Sequence, residues 1–336
     1  MTQRCGDTLL FRTPPVIAAQ AAVGGKKEGE GPLAAAFDEL SSDNRFGQSS
    51  WEAAEKYLQL RAARLCLQKA QLPEEKVRLV LAGDLQAQCT ASGYAMRELG
   101  VPFAGVFGAC STMAETLGLG AALCASGAAE HLLAMASSHF CAAERQFRTP
   151  LSYGAVRTPT AQWTATASGC TILADEGPGP YITHVTCGKI VDKGIRDANN
   201  MGAAMAPAAY DTLSAFFRDT GTTPQDYDAI FTGDLGELGH AIVRDFFHRD
   251  GVELDQRYQD CGMLLYDRQQ QDMHAGASGC GCSASVLNGY LLTQMRQGRW
   301  QRIVFAPTGA LLSPVSTCQG ESIPSICHAI CLSAQR

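Results

Sequence analysis

Segments with helical and with strand periodicity alternate along most of this chain. Residues 51–70 place Ala, Leu and Cys on one face of a helix and Glu, Lys and Arg on the other. The run Val77-Arg78-Leu79-Val80-Leu81-Ala82 is short and nearly all apolar, which predicts a buried strand ended by Gly83-Asp84. A helix over about 86–99 follows, then a strand over 102–107. Gly108-Ala109-Cys110-Ser111-Thr112 breaks that strand and opens a helix rich in Ala and Gly, and 131–137 is the next apolar strand. Such alternation predicts an α/β chain with a mainly parallel sheet.

The order then repeats. Leu81-Ala82-Gly83-Asp84-Leu85 returns as Phe231-Thr232-Gly233-Asp234-Leu235, 150 residues later. A helix over 206–218 and the turn Pro224-Gln225-Asp226-Tyr227-Asp228 precede the second copy, as 51–70 and Pro73-Glu74-Glu75-Lys76-Val77 precede the first. Downstream, Gly279-Cys280-Gly281-Cys282-Ser283-Ala284 opens a helix ending near Gly298, followed by a strand over 302–306. Two similar halves result, 1–175 and 176–336, divided after a strand over 165–174 where Asp175-Glu176-Gly177-Pro178-Gly179-Pro180 clusters charge, Gly and Pro. The polar, Gly-rich run over 23–32 reads as an exposed loop.

With 336 residues, 46% of them hydrophobic and 34 of them Gly, the chain is large enough for a buried sheet under small-residue helices. A net charge of −6 with no basic block argues against a nucleic-acid partner. Fourteen cysteines invite a disulfide reading, but the start Met1-Thr2-Gln3-Arg4-Cys5 has no apolar signal core, so reduced thiols are expected. The most apolar stretch, 116–129, is interrupted by Gly and falls short of the roughly 20 residues of a membrane-spanning helix. Cys280-x-Cys282 lacks the usual zinc spacing, and neither a paired-His metal motif nor a phosphate-binding P-loop occurs, so no metal or cofactor is expected.

Cys110 is the residue best placed for chemistry. It follows a strand and starts a helix, where unpaired amides and the helix dipole favour a thiolate or a bound anion; a small buried hydrophobe is the plainer alternative. Asp84 and Asp234 end equivalent strands of the repeat, where α/β folds gather ligands, and either could instead cap the next helix, Asp234 somewhat more than Asp84.

A duplicated half with a cysteine at its strand-to-helix junction resembles the thiolase and β-ketoacyl synthase superfamily. More closely, Ala22-Val23-Gly24, Glu30-Gly31-Pro32-Leu33, Leu81-Ala82-Gly83-Asp84-Leu85, Phe107-Gly108-Ala109-Cys110-Ser111-Thr112, Ser137-Ser138-His139 and Ala143-Glu144-Arg145-Gln146-Phe147-Arg148 resemble the stage V sporulation protein AD family. So do 201–209 and Thr308-Gly309-Ala310-Leu311-Leu312-Ser313-Pro314.

The resemblance implies a thiolase-like five-layered αβαβα fold of two pseudo-repeated halves. It also implies binding of dipicolinic acid (pyridine-2,6-dicarboxylate) for its uptake into the developing spore. The implied setting is the forespore, peripheral at the inner spore membrane, beside other stage V sporulation A membrane proteins. Calcium as the ligand's companion and a homodimer are part of the same expectation.

Condensing enzymes of the superfamily pair their cysteine with a His and a second His or Asn in the second half. Here the corresponding stretches read Gly233-Asp234-Leu235-Gly236 and Gly276-Ala277-Ser278-Gly279-Cys280, without either, and an Asp beside Cys110 would raise the thiol pKa. A non-catalytic binder is therefore the main expectation. Its ligand-binding candidates are Cys110, Asp84, His139, Arg145, Arg148, Asp234 and Ser278, with the arginines gripping carboxylates and His139 stacking on the ring or donating to it. The rivals are an acyl-transfer enzyme using Cys110 with His139, His240 or His274 as base, and an assembly scaffold for the spore membrane channel.

Overall fold

The computed structural model describes residues 2–147 and 157–336, Phe147 by its backbone alone. Ten strands form its framework. In the first half they are β1 (Val16–Gly24), β2 (Leu79–Gly83), β3 (Phe103–Gly105), β4 (His131–Ser138) and β5 (Ala167–Ala174). In the second they are β6 (Tyr181–Cys187), β7 (Ala229–Thr232), β8 (Tyr258–Asp260), β9 (Arg302–Ala306) and β10 (Ser325–Ser333). The spatial orders are β3-β2-β4-β5-β1 and β8-β7-β9-β10-β6, one topology used twice. The edge strands β1 and β6 touch at Val16 and Tyr181, which joins the halves into one continuous sheet. Each half is mixed rather than mainly parallel: β5 and β10 run antiparallel to both of their long neighbours.

Helices fill three layers. On one outside lie α1 (Trp51–Ala70) and α2 (Thr90–Leu99), followed in the chain by α3 (Thr112–Ala125) and α4 (Phe140–Phe147). On the opposite outside lie α5 (Met201–Thr220) and α6 (Gly236–Arg249), and α7 (Cys280–Ser285) continues through a π turn at Val286–Leu291 into Leu292–Arg296. Between the two halves of the sheet, Met113, Leu117 and Ala121 of α3 and Leu287 and Leu291 of the α7 continuation pack on alternate strand residues: Leu132, Ala134 and Ala136 of β4, Ile303 and Phe305 of β9. The intervening residues face outward, Leu133 and Met135 toward α1 and α2, Val304 and Ala306 toward α5 and α6. Both faces of the central strands such as β2, β4 and β9 are covered, which is why these strands read as unbroken apolar runs without alternation. This is the five-layered αβαβα arrangement.

The sequence predicts α1 over its observed span; Ser50 accepts from the Ala53 amide at its start, and Gln71 in the left-handed region ends it. Four expectations are corrected. The run 23–32 is not an exposed loop: Val23 and Gly24 complete the central strand β1, and Glu28, in the short turn Lys26–Gly29, is wholly buried. Glu55, assigned with the Lys and Arg residues of α1 to its solvent face, is fully buried, as is Gln59 one turn on, against the ends of β2 and β4. The helix over 86–99 is broken, since Gln88 and Cys89 adopt positive φ and α2 begins only at Thr90. The strand over 102–107 shortens to Phe103–Gly105.

Candidate functional site

The carboxyl ends of β2 and β7 and the openings of α3 and α7 meet at the middle of the molecule. Cys110 sits there on a single 3-10 turn, Ala109–Ser111, that leads into α3. The turn is tied by Ser111 Oγ donating to Gly108 O (2.7 Å) and Thr112 Oγ1 donating to Ala109 O (2.7 Å). Ala109 is held at φ 49°, a left-handed conformation that an L residue adopts at a cost. Gly309 is pressed against the turn so closely that an added Cβ would lie 2.0 Å from Gly108 O. Cys110 is thus fixed by backbone contacts from both halves.

Asp234 faces it from the second half. Its Oδ2 accepts from the Gly279 amide (2.8 Å) and from Ser278 Oγ (3.2 Å), and its carboxylate interacts with the Cys110 thiol. Gln162 Nε2 donates to Asp234 O (2.6 Å) and Ala277 O (2.9 Å), bridging the loop to the short ribbon of Trp163–Thr164 and Ala277–Ser278. Ser283 Oγ reaches Cys110 O at 3.4 Å. Cys280 donates its thiol to Ser137 O (2.9 Å), which carries the contact to the end of β4. The centre is closed to solvent: Cys110 is 6% exposed, Ser278 3% and Asp234 0%.

Its electrostatics oppose a thiolate. Burial pushes the Cys110 thiol well above its ordinary value, and the Asp234 charge and its hydrogen bond push it further, against a smaller lowering from the Gly279 amide. The same burial, reinforced by the charge of Asp260, raises Asp234 to about 7 while Cys110, Gly279 and Ser278 pull it down. The helix-start advantage expected for Cys110 is therefore outweighed by desolvation and a neighbouring acid.

The helix-capping expectation is reversed. Asp260, a residue not singled out in the sequence, accepts from the Leu235 and Gly236 amides at the start of α6 (2.9 and 3.2 Å), leaving Asp234 free to face Cys110. Asp84 instead anchors α2: its carboxylate accepts from the Gln86 and Ser92 amides and from Ser92 Oγ at 2.6 Å. Beside it Glu55 accepts from Gln86 Nε2 (2.7 Å) and Ser137 Oγ (3.0 Å), and burial together with the Asp84 charge lifts Glu55 to about 8. These two acids form a second buried layer, linked to Cys280 by charge.

The remaining candidates are dispersed. His139, fully buried, donates Nε2–H to Asn44 O (2.7 Å) with its ring 5.5 Å from that of Trp51, and burial lowers its pKa. Arg145 is solvent-exposed on α4 and paired with Glu52, so it is not brought to Cys110. Arg148 lies outside the described residues. Of the alternative bases, His240 stacks on Tyr258 at 4.3 Å and donates to Tyr258 O, and His274 lies between Thr158 O and Asp272. Gln162 and Glu55 were missed because an isolated Gln, or a Glu in an amphipathic helix, carries no sign of burial.

Comparison with known proteins fits this geometry. The family described as stage V sporulation protein AD matches residues 5–333. Stage V sporulation protein AD of Bacillus subtilis (strain 168) is 42% identical over 324 residues, 96% of this chain and 96% of that protein. Among solved structures, 3-oxoacyl-[acyl-carrier-protein] synthase III from Aquifex aeolicus VF5 is similar with a TM-score of 0.60 at 11% identity, covering 95% of this chain and 99% of that one. Cerulenin-bound OleA of Xanthomonas campestris is similar with a TM-score of 0.62 at 15% identity, covering 98% and 99%. These structures share the thiolase-like fold.

Proposed function

This chain belongs to the stage V sporulation protein AD family of sporulation proteins, and from that premise we propose that it binds dipicolinic acid without altering it, for uptake into the developing spore. The observation that carries the non-catalytic part is the pairing of Cys110 with Asp234. Nucleophilic sulfur chemistry needs a thiolate and a partner that accepts its proton. At this site the partner is an acid that holds the thiol protonated, and the three histidines closest in sequence logic are engaged elsewhere. Fold does not fix function, so a condensing-enzyme scaffold whose cysteine faces an acid is free to serve binding in place of catalysis.

The dipicolinate part rests on family membership and on the convergence of Cys110, Asp234, Ser278 and the Gly279 amide at one buried point. A ligand carboxyl group at this point meets the Asp234 carboxyl and the Cys110 thiol, with the Gly279 amide and the Ser278 hydroxyl holding Asp234 in place. Among the described residues no group of three or more His, Cys, Asp or Glu side chains is placed to hold a metal ion. No helix of the described residues is long and apolar enough to cross a membrane. In this reading the conducting path belongs to other stage V sporulation A proteins, and the chain acts as a peripheral partner, as a homodimer, at the inner spore membrane.

Two measurements on the purified protein test this reading. Equilibrium dialysis should retain dipicolinic acid saturably and pyridine-2-carboxylic acid far more weakly, because the second ligand lacks one carboxylate. Incubation with acyl-coenzyme A followed by mass spectrometry should leave Cys110 unmodified. Acyl-Cys110 without dipicolinate retention would establish the acyl-transfer alternative instead.

A further inference from the structure

Asp234 presents a problem that its hydrogen bonds do not solve. Its side chain is fully buried, Oδ2 is occupied by Gly279 and Ser278, and Oδ1 has no N–H or O–H partner among the described residues, the Cys110 thiol being the one further donor at the carboxylate and a weak one. A buried, unpaired carboxylate oxygen costs free energy unless it is protonated or meets a donor. The groups facing it offer no cation. From β8 comes Asp260, from the segment after it the thiol of Cys261, from the opening of α7 the thiols of Cys280 and Cys282, and from the first half Cys110. Behind Cys280 stand two further acids, Glu55 and Asp84.

A dicarboxylate entering this centre would set like charge against like charge, a contact that two ionised groups do not make. A shared proton satisfies both Oδ1 and the ligand. Building on the dipicolinate reading, we propose that Asp234 receives the ligand as a carboxylic acid, with one proton taken from solvent and held between Asp234 Oδ1 and a ligand carboxylate. Asp234 is then the specificity-determining residue of the site: it admits a carboxylate only together with a proton, and binding is coupled to pH.

With Asp234 raised to about 7, the uptake follows from its ionised fraction in the free protein. Binding should take up ~0.1 proton at pH 6, ~0.5 at pH 7 and ~0.9 at pH 8, with affinity falling about tenfold between pH 6 and pH 8. Glu55, lifted to about 8, titrates in part of the same range, so variants are needed to assign the proton. Asp234→Asn keeps a donor at the position but cannot titrate. It should bind dipicolinate with no proton uptake assigned to this site and with affinity flat across the range. Ser278→Ala removes a hydrogen bond that favours the Asp234 carboxylate, so its midpoint should shift upward. This milder change keeps the test available should the Asn variant fail to fold.

The experiment is calorimetric titration of the full chain with dipicolinate at pH 6, 7 and 8, each in two buffers of different ionisation heat, with a chelator present to exclude calcium. Uptake that rises with pH, is lost in Asp234→Asn and moves upward in pH in Ser278→Ala supports the proposal. Binding with no proton uptake at any pH overturns it and leaves the dipicolinate reading standing, as does uptake unchanged in Asp234→Asn. Absence of dipicolinate binding at every pH overturns the reading and the proposal together.

Discussion

Replacing Asp234 by Asn should wake the Cys110 thiol. In the native protein the thiol is raised by burial, which the substitution leaves in place, and by the Asp234 charge, which it removes. A unit charge about 4 Å away acts with roughly 4 kcal/mol at an effective dielectric near 20, equivalent to about 3 pKa units at 1.36 kcal/mol each. Measured effects of a contacting charge run about 1–3 units. Below the thiol pKa each unit is tenfold in thiolate, so Cys110 in Asp234→Asn should alkylate about 10- to 1,000-fold faster.

The size of the effect depends on pH. Asp234, raised to about 7, is almost fully charged at pH 9, where the whole acceleration should be seen. As pH falls through 7 the native carboxylate is neutralised and the variant-to-native ratio should fall toward one. Timed iodoacetamide labelling with peptide mass spectrometry resolves Cys110 from the other thiols, and exposed Cys5, Cys187 and Cys318 serve as internal references. A ratio that stays at one at pH 9, with the reference thiols unchanged, would refute the claim that Asp234 suppresses the thiol.

Three further outcomes are expected. Glu28 is buried, accepts from the Thr166 amide and from the Tyr266 hydroxyl of the opposite half, and is raised above its ordinary value by desolvation. The stability it contributes is complete below the unfolded carboxylate value and is lost as pH rises through the raised one, so denaturant titrations of Glu28→Gln should decline less between pH 5 and pH 9 than those of the native chain. Gly309→Ala forces a Cβ onto Gly108 O and should cost about 1–3 kcal/mol in chemical unfolding; an unchanged midpoint would mean that the Cys110 turn yields. Arg145→Ala breaks an exposed pair with Glu52, should cost under about 1 kcal/mol and should leave dipicolinate affinity unchanged in dialysis; a large loss of affinity would place the ligand near α4.

The fold was legible because its strands are covered on both faces. Apolar runs at 77–82, 131–137 and 302–306 announced strands with little ambiguity, and the recurrence of Gly-Asp-Leu at Asp84 and Asp234 marked the same strand end in both halves. What sequence could not show was which polar residues turn inward. Glu28 stands in a Gly- and Lys-rich run that looks solvated, yet β1 and Tyr266 enclose it. Glu55 shares a helix with Lys56 and Arg61, and only tertiary packing separates the buried acid from the half-buried bases. Cys110, Asp234 and Ser278, candidates from the repeat and the family resemblance, lie together in the structure. Asp260 was missed because its amide partners, Leu235 and Gly236, lie 24 to 25 residues earlier in the chain.

The most direct test is the structure of the complex with dipicolinate. One ligand carboxyl is expected within hydrogen-bond distance of Asp234 and beside an unmodified Cys110 thiol, with Ser278 and the Gly279 amide in the same cluster. Dipicolinate bound elsewhere on the chain while the Cys110 centre stays closed, or a covalent adduct on Cys110, would contradict it.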